Sequence, residues 1–436
     1  MERPARDPRD AVSGLMGGAA SLRLFKSGSF RALWFGQLVS VFGDRFTYLA
    51  LLAVVIERAR NPANPAAELS WIPVVSFLPT ILFGPWIGAL VDSWNRKRVL
   101  VISDAARGVV ALLFLVAVPS GGLPAAFGLV FALYVANTFF LPARSAVLPD
   151  MVPEDRLTEA NSLVTLAGVV ATIAGSLAGG AVVARLGWRA GFGLDGLTYF
   201  VSALALTRIR TTPRAAPGAP GAPRSGSAAY RALWSDVREG ARILARSRRA
   251  MGAVAATGLL WIAGGALHVA APILLARRGG GIVAGVGTLL AALATGMVAG
   301  SAALAARGGG HSPWRRIALG LVGAGGALAL FARSRHAATD LALGFGAGAF
   351  VALLLVTTEA TLQESIGPEA RARVFALRDF AARFLVLASA GLAGLLLARG
   401  AVPAESAILG AGVFLAAGGI ALALVARRVG DGAGGS

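Results

Sequence analysis

The chain has 436 residues, of which 56% are apolar and only 14% charged, with a net charge of +19 and no cysteine. Ordinary soluble domains carry about 25% charged residues, so this composition argues against a water-soluble enzyme, and the lack of cysteine excludes disulfides and thiolate chemistry. The basic excess would suit a nucleic-acid binder, but its placement along the chain argues against one.

Residues 1–29 are polar, with no short apolar core ahead of a cleavage site, and read as a cytoplasmic tail. Twelve apolar spans follow: 30–56, 70–91, 99–118, 123–143, 161–186, 190–209, 251–276, 282–306, 315–333, 338–361, 374–398 and 403–426. Most can cross about 30 Å of hydrocarbon at about 1.5 Å per residue. An even number of spans puts both termini on one side. Most of the 41 Lys and Arg fall in the N-terminal tail, the even-numbered loops, the central polar segment and the tail at 428–436. By the positive-inside rule that side is the cytoplasm. The same bias accounts for the net charge without nucleic acid.

The segment 210–250 separates two sets of six spans, 30–209 and 251–427. Its first part, 211–227, is rich in Pro, Gly and Ser and reads as a linker. Its second part, Tyr230 to Arg249, is basic, and Leu233, Val237, Ile243 and Leu244 give it one apolar face. It is expected to be a helix lying on the cytoplasmic leaflet. The halves repeat weakly: VLPDMVPEDR at 147–156 matches LQESIGPEAR at 362–371, and LAG at 177–179 matches LAG at 392–394. The expected fold is therefore all-α, with two pseudo-symmetric six-helix bundles.

Between spans 2 and 3 stands Gly88-Ala-Leu-Val-Asp92-Ser-Trp-Asn95-Arg96-Lys97-Arg98. This run resembles the 2–3 loop signature of the major facilitator superfamily. The resemblance implies that Gly88 lets two helices approach closely, that Asp92 accepts from a helix N-terminus, and that Arg96, Lys97 and Arg98 hold the loop at the cytoplasmic surface. Asn95 stands where the family has Gly, and Asn tolerates a left-handed turn. The stretch FLPARSAVLPDMVPEDRLTEANSL (140–163) and the helix LWFGQLVSVFGDRF (33–46) are similar to the branch containing enterobactin exporters and macrolide-efflux proteins. That branch implies export of a bulky amphipathic molecule by proton antiport. In span 5, Gly175, Gly179 and Gly180 lie where antiporters of the superfamily carry G-P-x-x-G-G, with Ser176 replacing the Pro. Small-residue packing is the favoured reading of these glycines.

Ionisable groups inside a bilayer are costly and mark function by default. In span 1, Gln37, Ser40, Asp44 and Thr47 share one helix face, so Asp44 is the first candidate for proton coupling. Glu359 is the second, although a cytoplasmic salt bridge between the halves is its favoured role. Asp104 with Arg107, and Asp379 with Arg383, have same-face spacing. With Asp92 and Arg144 they are expected to form a cytoplasmic charge network that latches the halves. Asp195 is expected at the solvated outer end of span 6. Tyr134, Asn137, Thr138, Trp261 and His268 are candidate cavity residues.

Lys26 and Lys97 are the only lysines and neither ends a P-loop. The three histidines are scattered, so no metal or cofactor is expected. The expectation is a multi-pass transporter of the bacterial inner membrane, both termini cytoplasmic, that exports a small molecule against protons. By resemblance it would work as a monomer. A proton-coupled importer and a non-transporting scaffold or sensor are the alternatives. Importers would accumulate substrate; a scaffold would tolerate changes to cavity residues.

Overall fold

The computed structural model describes residues 23–61, 63–210, 226–279, 281–307 and 312–431, with the side chains of 85, 89, 92, 226–230, 232, 233, 307 and 425–431 outside the description. The 211–227 linker call, most of the N-terminal tail, Asp92 and Leu233 therefore lie partly or wholly outside the described residues.

Eleven α-helices follow one another: α1 (Gly28–Arg58), α2 (Ala66–Ser93), α3 (Arg96–Val147), α4 (Leu157–Leu206), α5 (Gly226–Arg246), α6 (Arg248–Arg277), α7 (Ile282–Arg307), α8 (Pro313–Arg333), α9 (Ala337–Ser365), α10 (Pro368–Ala398) and α11 (Ala404–Asp431). All but α5 are long and apolar enough to cross a membrane. Two are far too long for one crossing: α3 has 52 residues and α4 has 50. Each breaks at a glycine with positive φ, Gly122 at 60° and Gly187 at 79°, a region L-residues avoid. Arg96 at the start of α3 bonds the Ala146 carbonyl near its end, so α3 folds back as a hairpin. Near the two ends of α4, Ala160, Val164 and Leu206 share one core cluster, so α4 does the same. Eight single helices and two hairpins supply the twelve expected crossings.

Local chemistry sets the ends. Asn95 caps α3, its side chain accepting from the Arg98 amide at 3.1 Å, with φ −68° and ψ 107°. This corrects the expectation of a left-handed turn there: Asn95 is extended and acts as an N-cap. Ser247 caps α6 by accepting from Ala250 N. Pro313 and Pro368 start α8 and α10, where a missing N–H costs nothing. Gly279 and Gly400, both at positive φ, follow α6 and α10.

The chain divides into two compact units. The first holds the described residues of 1–50, 79–182 and 186–229; the second holds 51–78, 183–185 and 230–436. In the first, Phe30, Leu33, Val91, Leu100, Val147, Ala160 and Leu206 pack one core beside the α1 start. In the second, residues 51–78, the end of α1 with the beginning of α2, pack against α10. Asn64 donates to the Leu397 carbonyl at 2.8 Å, and Gly394 leaves room for Ser70. The α5 helix also belongs largely to the second unit. Leu244 is buried with Ala250, Leu362, Ile366 and Val374, Trp234 meets Phe380 edge to face, and Asp236 pairs with Arg373 at 3.2 Å. Its apolar side thus covers the α9–α10 turn and not a membrane leaflet as expected, because Ile243 and Leu244 find apolar partners there, while Arg231, Arg238, Arg242 and Arg246 stay exposed.

Candidate functional site: carboxylates around Arg107

The site in the first unit starts on α1. Gln37, Ser40 and Thr47 are 6%, 2% and 6% exposed, so the polar stripe faces protein. Asp44 is its wettest member, with 31% of its side chain exposed. About 16 residues separate Asp44 from the α1 start, so it sits about 24 Å along the helix, near the middle of its length.

The opposing surfaces come from α3 and α4. The first arm of α3 supplies Asp104 and Arg107, fully buried and paired. The second arm of α3 supplies Asn137, whose Oδ1 accepts from Arg107 at 3.3 Å. The second arm of α4 supplies Asp195, Thr198, Tyr199 and Ser202 at helical spacing on one face. Tyr199 donates to Asp44 Oδ1 at 2.5 Å, and Ser202 to Asp104 Oδ2 at 2.5 Å. Thr47 donates to Asp195 Oδ2, and Thr198 to Asp195 Oδ1 at 3.2 Å. Arg107 lies 4.0 Å from Asp44 Oδ1. Its guanidinium is sandwiched between the Phe140 and Tyr199 rings, each centroid 4.5 Å away, where the ring faces favour a cation.

Glycines make this convergence possible. A Cβ at Gly43 would collide with Thr198 Oγ1 and Asp195 Oδ1, and one at Gly36 would stand 3.0 Å from Ser202 Oγ. Gly108 and Gly196 bring α3 and α4 equally close, a Cβ on either lying 3.2–3.3 Å from the other's carbonyl. Small residues at such crossings let backbones approach.

Asp104 and Asp44 thus flank one guanidinium, Asp195 is tied to the same face of α1 through Thr47, and Asp104 and Asp195 are both 0% exposed. Ionising all three would leave two uncompensated negative charges in a water-poor interior, which desolvation strongly opposes. Asp44 is the member of the cluster that water reaches.

Several sequence expectations change. Asp104 and Arg107 are not among surface charges; the antiparallel arms of α3 and α4 draw them into the membrane beside Asp44. Asp195 is fully buried and not solvated, because Gly43 opens a cradle for its carboxylate. A Cβ at Gly88 would meet nothing within 4 Å among the described residues, so Gly88 makes no close helix approach in this structure. Tyr199 is a site residue that sequence reasoning misses; the available signal is the Asp195, Thr198, Ser202 periodicity around it.

Other candidates are placed as follows. Arg96 binds Asp150 at 2.8 Å; Lys97 is half-buried and Arg98 exposed. A Cβ at Gly175 would stand 2.5 Å from the Phe42 carbonyl, and one at Gly179 3.3 Å from Leu49. These two glycines seat α4 against α1, and Gly180 is buried nearby in the chain. Thr138 bonds the Tyr134 carbonyl and Thr80. Arg144 lines a cleft with Gln37.

In the second unit, Glu359 pairs with Arg378, which also holds Asp379 at 3.0 Å. Glu359 therefore has its partner within its own unit, contrary to the expected bridge between halves. Asp379 is taken by Arg378, and Arg383 lies 6.0 Å from the Phe77 ring centroid instead. Trp261 is 37% exposed and His268 is half-buried on the same helix. Buried Thr357, Thr358 and Thr361 satisfy their hydroxyls on α9 carbonyls.

An all-helical, multi-pass membrane protein with ionisable groups converging inside one bundle has the form of a transporter. The sequence profile described as Major Facilitator Superfamily matches residues 33–384, and the chain belongs to that family. It is 32% identical to the putative bacilysin exporter BacE of Bacillus subtilis over 179 residues, 41% of this chain and 43% of that one. It is 30% identical to macrolide efflux protein A of Streptococcus pyogenes over 132 residues, 30% of this chain and 32% of that one. These matches span less than half of either relative. Among solved structures, a bacterial homologue of the human lysosomal transporter Spinster superposes with TM-score 0.67 at 14% identity, covering 91% of this chain and 97% of that one. A peptide transporter POT superposes with TM-score 0.70, also at 14% identity, covering 91% and 95%. At that identity they share the fold.

Proposed function

We propose that this transporter exports a small amphipathic molecule from the bacterial cytoplasm in exchange for protons, with Asp44 as the group that loads and releases the proton. The observation that carries this reading is the convergence of three carboxylates, Asp44, Asp104 and Asp195, on one largely buried site that holds the Arg107 guanidinium. A protonated Asp44 removes one of the two excess negative charges; a deprotonated Asp44 restores it and favours a state in which the carboxylate meets water. Protonation and cargo then bias two orientations of the six-span halves, each by its differential affinity for them. Relatives named as exporters of bacilysin and macrolides support the outward direction.

The test uses a strain lacking its major efflux pumps, with wild type and Asp44→Asn expressed at matched levels. Accumulation of amphipathic antibiotics, dyes and siderophores is followed with and without an uncoupler. Wild type should lower accumulation of at least one compound, and both the uncoupler and Asp44→Asn should abolish this. Normal export by Asp44→Asn would make Asp44 structural, and higher accumulation with wild type would make the protein an importer.

A further inference from the structure

A second site lies in the first unit, apart from the carboxylate cluster. A cleft of about 260 Å³ is lined by Leu33 and Gln37 of α1, Arg144 and Ser145 of α3, and Asn161 and Thr165 of α4, among others. Arg144 is half-buried there, and no hydrogen bond or ion pair holds it among the described residues. Gln37 is 94% buried, being 6% exposed, and its Oε1 has no partner. Other polar side chains of the cleft are satisfied: Ser145 bonds the Leu141 carbonyl and Asn161 the Leu157 carbonyl, and nearby Asp150 is taken by Arg96. A guanidinium and a buried amide oxygen left open to one cavity are costly unless a ligand completes them.

We propose that this cleft binds the carboxylate of an organic-acid cargo. Arg144 takes the anion in its fork of N–H donors, and Gln37 Oε1 accepts from an N–H or O–H beside it. The inference rests on the transporter reading and adds a substrate class to it: amphipathic molecules with one carboxylate and a neighbouring donor. Gln37 lies nine residues into α1, Arg144 three residues from the end of α3, and Asn161 four residues into α4. The cleft is therefore nearer the membrane face where these helices begin and end, which the proposed orientation makes cytoplasmic. Cargo acid would be met there before export.

The chain has no cysteine, so Thr165→Cys places a single thiol in the cleft of the full-length protein. Its labelling is measured with anionic sulfonatoethyl and cationic trimethylammonioethyl methanethiosulfonate. An open guanidinium should favour the anionic reagent, and Arg144→Gln should lower the anion-to-cation rate ratio by about tenfold, the scale of one charge at short range. Arg144→Lys should keep most of the ratio. N-acetyl-leucine should protect the thiol, whereas its methyl ester should not. An unchanged ratio in Arg144→Gln, or equal protection by acid and ester, overturns the proposal. So does protection by phosphatidylglycerol in nanodiscs matching that by the acid, since the occupant would then be a lipid headgroup. If Arg144→Gln fails to elute as a single species, the acid–ester comparison in the Thr165→Cys protein decides alone. Labelling needs no gradient, so failure of proton-coupled export would leave this result standing, and its own failure would leave export untouched.

Discussion

Arg107 in the first unit and Arg378 in the second each touch two carboxylates, yet their surroundings differ. Arg107 is 2% exposed and Asp104 0%, whereas Glu359 and Asp379 are 42% and 58% exposed beside Arg378. In the first unit neither partner is solvated, so removing one leaves an unpaired buried charge. In the second, water screens the group and the net gain is small. The same kinds of side chain therefore make a buried cluster in one place and a solvated ion pair in the other. Burial makes the difference.

The sharpest way to break this comparison is to remove each guanidinium. Arg107→Leu should cost about 3–5 kcal/mol, because buried carboxylates lose their cation; thermal unfolding in detergent should show a large drop, or the protein should fail to accumulate. The second unit has an intermediate case in Arg278, which grips Asp340 at 2.9 and 3.0 Å and donates to the Phe331 carbonyl at 2.7 Å. This clamp is balanced, one acid to one base, and only partly exposed. Arg278→Ala should cost about 2 kcal/mol, near the range for hydrogen bonds to charged groups, with little change in transport.

Gly43→Ala sharpens the comparison by geometry and leaves charge untouched. Its methyl would occupy the space of Thr198 Oγ1 and Asp195 Oδ1, so it should cost about 1–3 kcal/mol by overpacking and should also impair export. Gly88→Ala, where a Cβ meets nothing, should be neutral in the same assay. Among the guanidinium removals the smallest effect is expected for Arg378→Ala, at most about 1 kcal/mol and further reduced in high salt. If Arg378→Ala matched Arg107→Leu in the melting experiment, burial would not be the deciding variable.

Much was legible in the chain itself. Twelve apolar spans, the basic surface helix and the Asp44 stripe follow from hydropathy and the 3.6-residue period, which are local properties. The Asp104–Arg107 pair was also readable, since residues three apart meet on any helix. Its destination was not. Tyr199 lies 155 residues from Asp44, and Ser202 lies 98 from Asp104; no periodicity joins positions so far apart. Hydropathy also put Asp195 at a span end, where an acid normally meets water.

By itself, then, the sequence determined the class of fold and the side chains available, because membrane crossing is imposed on each helix separately by the absence of water for its backbone. Tertiary structure decided which of those side chains share a site. Glycines 36, 43, 108 and 196 let three helices approach until Asp44, Asp104 and Asp195 share one site with Arg107, and among the described residues the packing of α1, α3 and α4 leaves Arg144 without a partner beside a cleft. Close approach depends on what stands opposite each small residue, and that is a property of the packed bundle.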